Sequence, residues 1–82
     1  MDISELVNEL QKNSIPNSWY LIGEKGITYN KTCLRLIDNQ WAVFYSERGS
    51  KFDLKTFDFE DEACNELLLR MKHKKEQKKQ SP

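Results

Sequence analysis

The sequence predicts an α+β domain in which an N-terminal and a C-terminal helix flank an antiparallel meander sheet of three or four strands. Three observations predict this fold: apolar residues recur at helical spacing near both ends, the middle of the chain is rich in strand-forming residues, and tight-turn residues divide that middle. The length of 82 residues suits a single domain, which we place at residues 1–71, followed by a lysine-rich tail at 72–82.

Residues 2–12 are predicted to form the first helix. Its apolar positions, three and four residues apart, are Ile3, Leu6, Val7 and Leu10. Asp2 is suited to cap the helix, and Glu5, three positions later, completes a capping-box pattern. Pro16 disfavours helix at and just before its own position, so the helix is expected to end ahead of it.

Four segments rich in aromatic and branched residues are strand candidates. They are Tyr20–Ile22, Ile27–Ile37, Gln40–Ser46 and Lys51–Phe57. The residues from Gly23 to Gly26 are interpreted as a turn, and Asp38-Asn39 as a two-residue hairpin turn tolerant of positive φ. We expect a four-residue loop from Ser46 to Gly49 between the last two strands.

These turns place Leu34 opposite Val43 and Val43 opposite Phe52. One face of the sheet then holds Leu34, Leu36, Trp41, Val43, Tyr45, Phe52 and Leu54. Trp41 is expected to be among the most buried residues. A rival register with a three-residue loop and a bulge would move Phe52 beside Phe44.

The opposite face is mixed in character. It holds Cys33, Arg35, Ile37, Gln40, Ala42, Phe44, Lys51, Asp53, Lys55 and Phe57. Either one helix covers each face of the sheet, or both helices cover the apolar face and the mixed face stays open for a partner. The sequence does not decide between these two arrangements.

The last helix is predicted to begin after Asp58, with acidic residues in its first turn where the helix dipole favours them. Its apolar stripe consists of Ala63, Cys64, Leu67, Leu68 and Met71. No apolar residue follows until Pro82. Packing is therefore expected to stop at Met71, which would make residues 73–82 dispensable for folding.

The formal charge of zero conceals an asymmetry between body and tail. Residues 1–69 carry twelve acidic and seven basic side chains, a net charge of −5, whereas residues 70–82 carry one acidic and six basic, a net charge of +5. Such a tail is more often a solvated helix end than a nucleic-acid contact. Both interpretations stay open.

The residues that carry chemistry are sparse. His73 is the only histidine, and Cys33 and Cys64 have no second cysteine pair with which to build a zinc site, so we expect reduced, buried thiols, no metal, no cofactor and no enzymatic activity. The longest apolar run, Trp41–Tyr45, is too short for a membrane helix. The first residues lack the pattern of a signal peptide, so we expect a cytoplasmic protein that does not bind membranes.

The stretch from Trp41 to Leu54, with Thr56-Phe57-Asp58 and the acidic run Glu60–Cys64, resembles small bacterial immunity proteins of polymorphic or contact-dependent toxin systems. The resemblance covers roughly residues 19–69 and rests on turn and core residues. It implies a protein, monomeric when free, that binds the C-terminal domain of one cognate toxin, often a nuclease, and blocks it. The lysine tail departs from this pattern, and no site residue is carried over from the family.

Candidate partner-binding residues therefore come from their places in the predicted fold. Glu24 and Glu47 lie at turns, Asp53 is the one acid on the mixed face, and Tyr45 borders the Glu47 loop. Acidic groups would mimic the phosphates that a nuclease binds. The alternative is a small nucleic-acid-binding module. It would use the tail lysines together with Phe44 and its basic neighbours Arg35, Lys51 and Lys55.

Overall fold

The structure is a computed structural model that describes residues 1–23 and 30–80, with side chains described as far as Gln77. Two helices and four strands follow one another along the chain, and a single 3₁₀ turn at Asn17–Trp19 precedes the first strand. They are α1 (Ile3–Lys12), β1 (Tyr20–Ile22), β2 (Lys31–Ile37), β3 (Gln40–Glu47), β4 (Ser50–Phe57) and α2 (Glu60–Gln80). This order confirms the predicted α+β fold with one helix at each end.

The four strands form one sheet in the order β1-β2-β3-β4. The pairs β2–β3 and β3–β4 are antiparallel, as predicted, but β1 runs parallel to β2, with Tyr20 opposite Thr32. The prediction of a wholly antiparallel meander is therefore wrong for the first strand. The parallel pairing excludes a hairpin between β1 and β2. The eight residues between Ile22 and Lys31 are long enough to reach the other end of a three-residue strand. The turn predicted at Gly23–Gly26 lies largely outside the described residues, as does the start of the second predicted strand.

Both hairpin turns contain two residues. Asp38 and Asn39 have φ of 50° and 65°, and their turn produces the predicted pairing of Leu34 with Val43. The second turn consists of Arg48 and Gly49 alone, with φ of 50° and 81°. Neither the four-residue loop nor its three-residue rival is correct, because strand pairing continues until Glu47 lies opposite Ser50.

A β-bulge at Asp53 changes the register of β4. Phe52 pairs with Tyr45, but Val43 pairs with Lys55, so β4 holds one more residue than β3 over this interval. Asp53 has a φ of 53°, in the left-handed region that aspartate tolerates better than most residues. The predicted pair of Val43 with Phe52 is therefore wrong. Beyond the bulge Phe57 lies opposite Trp41, and so on the apolar face rather than the mixed one.

Both helices pack against the face of the sheet that carries Leu34 and Val43. This main core consists of Leu6, Leu10, Ile15, Leu34, Val43, Ala63, Cys64, Leu67, Leu68 and Met71. Trp41 is only half-buried at the margin of this core, contrary to the prediction. The helices cover the middle of the face and leave Leu36 and Phe52 about half exposed at its periphery, whereas Leu54, the neighbour of Lys55 in β4, is half exposed on the other face.

A smaller cluster of buried residues lies on the other face of the sheet. It contains Cys33, Ala42 and Phe44, and neither helix contributes to it. The Arg35 guanidinium and the Lys51 ammonium lie over the Phe44 ring. Arg35 Cζ is 5.5 Å and Lys51 Nζ is 5.4 Å from the centroid of that ring. Of the two arrangements that the sequence allowed, the structure adopts the one in which both helices share the apolar face.

The two helices run side by side in the same direction. The Ile3 amide at the start of α1 donates to Glu60 Oε2 at the start of α2 over 2.9 Å, and the Lys75 ammonium donates to the Asn13 carbonyl beyond the end of α1. Asp2 caps α1 through the predicted capping box with Glu5. The start of α2 differs from the prediction, because Phe59 rather than Asp58 directly precedes the helix.

Helix α2 crosses the predicted boundary at residue 71 without interruption. Its contacts also continue past Met71, since Lys74 Nζ lies 4.7 Å from the centroid of the Trp19 ring and Lys75 reaches Asn13. The expectation that packing stops at Met71 is therefore wrong, because lysine side chains continue it without an apolar stripe. No described helix combines the length and the apolar character needed to span a membrane.

We expect the double variant Lys74→Ala/Lys75→Ala to lower the free energy of unfolding by about 1–2 kcal/mol, because it removes a cation–π contact and a charge-assisted hydrogen bond. Denaturant unfolding followed by tryptophan fluorescence measures this loss. Lys72→Ala is the matched control, since Lys72 is exposed on the same turn. Equal stability of the double variant and the control would show that the two contacts do not support the fold.

Candidate protein-binding surface

Three of the four predicted binding residues lie at the same end of the β3–β4 hairpin. Tyr45 and Glu47 alternate along β3, Phe52 lies opposite Tyr45, and Asp53 follows at the bulge. We call Tyr45, Glu47, Phe52, Asp53 and Leu54 the hairpin surface. The fourth predicted residue, Glu24, lies outside the described residues.

Apolar side chains are unusually exposed on the hairpin surface. Phe52 and Leu54 are 48% and 51% exposed, whereas Tyr45 is half-buried and the carboxylates of Glu47 and Asp53 reach solvent. Sequence reasoning assigned Phe52 and Leu54 to the core. It missed their exposure because the bulge and the area that the helices cover depend on the folded chain. The one local signal was Asp53, since aspartate is able to adopt positive φ.

Strand β4 forms one edge of the sheet and is exposed from Ser50 to Thr56. An exposed edge offers unpaired backbone groups to another chain. The Asp53 bulge interrupts this edge, and Lys51 and Lys55 place charge along it, which are two features that disfavour pairing with a second copy. The edge is therefore better suited to side-chain recognition than to strand addition.

A shallow pocket of about 490 Å³ lies where the bulge meets α2, lined by Asp53, Leu54, Lys55, Glu66 and Arg70. The Arg70 guanidinium joins the two elements: Nε donates to Glu66 Oε2 over 2.7 Å, and Nη2 donates to the Asp53 carbonyl over 2.6 Å. Lys55 Nζ lies 4.0 Å from the same Glu66 oxygen. Arg70 thus holds the bulge in place and forms one wall of the pocket.

The opposite end of the molecule is acidic because the two helices are parallel and begin side by side. Acidic residues of this end are Asp2, Glu5, Asp58, Glu60, Asp61 and Glu62. Phe59, 65% exposed, lies among them in the sequence. In the described part of the chain, Glu66 is the acidic partner in both ion pairs, with Lys55 and with Arg70. None of these six carboxylates therefore forms an ion pair there. Helix-dipole stabilisation accounts for their placement without a ligand.

The surroundings of the two buried thiols raise their pKa values. Burial, together with the negative charge of Glu60, raises the pKa of Cys64 to about 11, against the opposing charge of the N-terminal ammonium. Burial also raises the pKa of Cys33, against the opposing charges of Arg35 and Lys31. Both cysteines are free and buried, as predicted. Residues 1–23 and 30–80 contain no cluster of side chains able to hold a metal ion.

The features behind the nucleic-acid alternative are largely engaged within the fold. Phe44 is 2% exposed and lies beneath Arg35 and Lys51, so its ring offers no open face for a base. Lys55 pairs with Val43 and so belongs to the other face of the sheet. In the basic segment, Arg70 bonds to Glu66, and Lys74 and Lys75 contact the residues that follow α1.

Comparison with known proteins adds no relative: no family model, no curated protein and no solved structure matches this chain. The resemblance to small bacterial immunity proteins therefore stays a prediction.

The raised pKa of Cys64 predicts a pH dependence of stability. Folding favours the protonated thiol, so its contribution is fully present below the ordinary pKa of 9.0 and is lost as pH rises towards about 11. We expect the free energy of unfolding to fall more steeply over this window in the wild-type protein than in Cys64→Ala. Denaturant unfolding at several pH values measures both slopes. Parallel curves would contradict the assignment.

Proposed function

We propose that this chain is an immunity-type inhibitor that binds and blocks the C-terminal domain of a cognate bacterial toxin through its hairpin surface. The observation that carries the proposal is the pair of half-exposed side chains, Phe52 and Leu54, flanked by the carboxylates of Glu47 and Asp53 and by Tyr45. Large apolar groups surrounded by polar ones are typical of the residues that dominate protein–protein binding.

The size of the molecule is sufficient for such an interface. A standard complex buries about 800 Å² on each partner, which is roughly a seventh of the 5618 Å² surface of this chain. The rigid positioning of the hairpin surface supports the proposal as well. Arg70 ties the bulge to α2, so little conformational entropy is lost when a partner docks there.

The charge of the body favours a basic partner. Residues 1–69 carry twelve acidic and seven basic side chains, and Glu47 and Asp53 add negative charge beside the apolar pair. The substrate site of a nuclease is basic because it binds phosphates, so a body of net charge −5 accelerates its encounter with such a site. A toxin nuclease domain is therefore the partner class that we propose.

The test is coexpression of this chain with the C-terminal domain of a large secreted protein encoded next to it in the genome. We expect that domain to be toxic alone and harmless when this chain is present. Toxicity that persists with the folded chain, or the absence of any such neighbouring gene, would contradict the proposal.

Single variants then locate the interface. We expect Phe52→Ala and Leu54→Ala each to weaken binding of the toxin domain by about thirtyfold or more, since truncation of a residue that dominates an interface costs about 2 kcal/mol or more. Leu69→Ala is the matched control, because Leu69 is an exposed leucine of α2 outside the hairpin surface. Titration calorimetry measures the three dissociation constants, and equal values would place the interface elsewhere.

A further inference from the structure

The face of the sheet that neither helix covers carries an excess of positive charge. The strand register places Lys31 and Lys51 on either side of Ser46, so the two lysines flank β3 in one row across the sheet. Arg35 lies on the same face of β2, because alternate residues of a strand share a face. Against these three cations, the described strand residues of this face offer one carboxylate, that of Asp53 at the bulge.

Two of the three cations converge on one aromatic ring. The Arg35 guanidinium reaches over Phe44 from β2, and the Lys51 ammonium reaches over the same ring from β4. The ring is buried beneath them, so the two cationic groups form the surface at this point. Because Lys51 is exposed and Arg35 is half-buried, this surface is most accessible from the side of β4.

The described part of the chain does not compensate these two charges. Its ion pairs join Glu66 to Lys55 and to Arg70, and neither includes Arg35 or Lys51. The Nε–H of Arg35 is buried and has no hydrogen-bond acceptor. Two cations above one ring repel each other, and the negative face of the ring offsets that repulsion only in part. A bound anion would therefore stabilise the arrangement.

The surroundings of the two cations favour a carboxylate of a protein over the phosphates of a nucleic acid. A guanidinium donates to both oxygens of a carboxylate, and Leu54, half exposed in β4 opposite Phe44, adds an apolar contact on the same face. A nucleic acid would find no open aromatic ring for its bases. Its neighbouring phosphates would be repelled by the exposed carboxylates of Asp53 and Glu47 on the same hairpin.

We propose that the uncovered face of the sheet binds an acidic segment of a partner protein, with one aspartate or glutamate carboxylate held between Arg35 and Lys51. The guanidinium and the ammonium donate hydrogen bonds to that carboxylate, and Lys31 attracts a second acidic side chain of the segment. An apolar side chain of the segment packs on Leu54. The site does not rest on the proposed function, since its cations lie outside the hairpin surface and its ligand need not be a toxin.

The experiment titrates the full chain with N-acetyl-tetraglutamate amide at low ionic strength and follows it by NMR. We expect this acidic peptide to shift the signals of the Arg35 Nε–H group and of the Lys51 backbone amide. N-acetyl-tetraglutamine amide, which has nearly the same shape without the charge, should not shift them comparably. Inorganic phosphate and an oligothymidylate of equal charge are the other probes, and both should bind more weakly than the acidic peptide.

Variants identify the groups responsible. Arg35→Gln and Lys51→Gln each remove one positive charge and keep a polar side chain, so we expect each to weaken binding of the acidic peptide by about three- to tenfold. Lys55→Gln is the matched control, because Lys55 is an exposed lysine of the same strand on the opposite face. It should weaken binding less than either variant. A circular dichroism spectrum like that of the wild type establishes that each variant is folded, and exposed Lys51 is the safer of the two sites to change.

Equal shifts with the glutamate and glutamine peptides would overturn the site, as would equal losses of affinity in Lys51→Gln and Lys55→Gln. Tighter binding of the oligothymidylate would assign the face to a nucleic acid, and tighter binding of phosphate would assign it to a free anion, so either result also overturns the proposal. Protection against a toxin without binding of the acidic peptide refutes this site alone. Binding of the peptide without protection refutes the inhibitor alone.

Discussion

The fold depends on the apolar stripe of α2, because that stripe is shared by the sheet and by α1. Leu67, fully buried, belongs to the same cluster as Leu10 of α1 and Val43 of β3. A ten-residue helix such as α1 is marginal on its own, and so is a small sheet with one uncovered apolar face. Each becomes stable by packing on α2. The bond from the Ile3 amide to Glu60 then fixes the two helices in parallel, which gathers the acidic side chains at one end.

The same packing explains where the proposed binding surface is left exposed. The helices cover the middle of the apolar face at Leu34 and Val43, and the end of the β3–β4 hairpin lies beyond them. Phe52 therefore stays exposed, and so does Leu54 on the face that neither helix covers, although both residue types are those of a core. Arg70, near the end of the packed stripe, reaches the bulge and holds this exposed region against the body. Stability and the proposed recognition thus depend on neighbouring turns of one helix.

Local patterns predicted the local structure correctly, and long-range pairing accounts for what they missed. The capping box at Asp2 and the two-residue turn at Asp38-Asn39 are set by adjacent residues, so the sequence predicted them. The parallel pairing of β1 and the bulge at Asp53 depend on distant partners and have no comparable signal. The candidate binding surface follows the same division: Glu47 was predicted from its turn, Tyr45 from its place beside that turn, and Asp53 as the one acid on the mixed face. Phe52, Leu54 and Arg70 required knowledge of what α2 covers and reaches.

The claim that α2 stabilises both of its partners is tested most directly by the unfolding of Leu67→Ala. Far-ultraviolet circular dichroism follows the helices, and fluorescence of Trp41, in the sheet, and Trp19, just before it, follows the other layer. The account predicts one coincident transition for both signals, with the free energy of unfolding lowered by about 2–5 kcal/mol. A helical signal that is lost early while the tryptophan transition keeps its wild-type midpoint would contradict it, since the sheet would then be stable without α2.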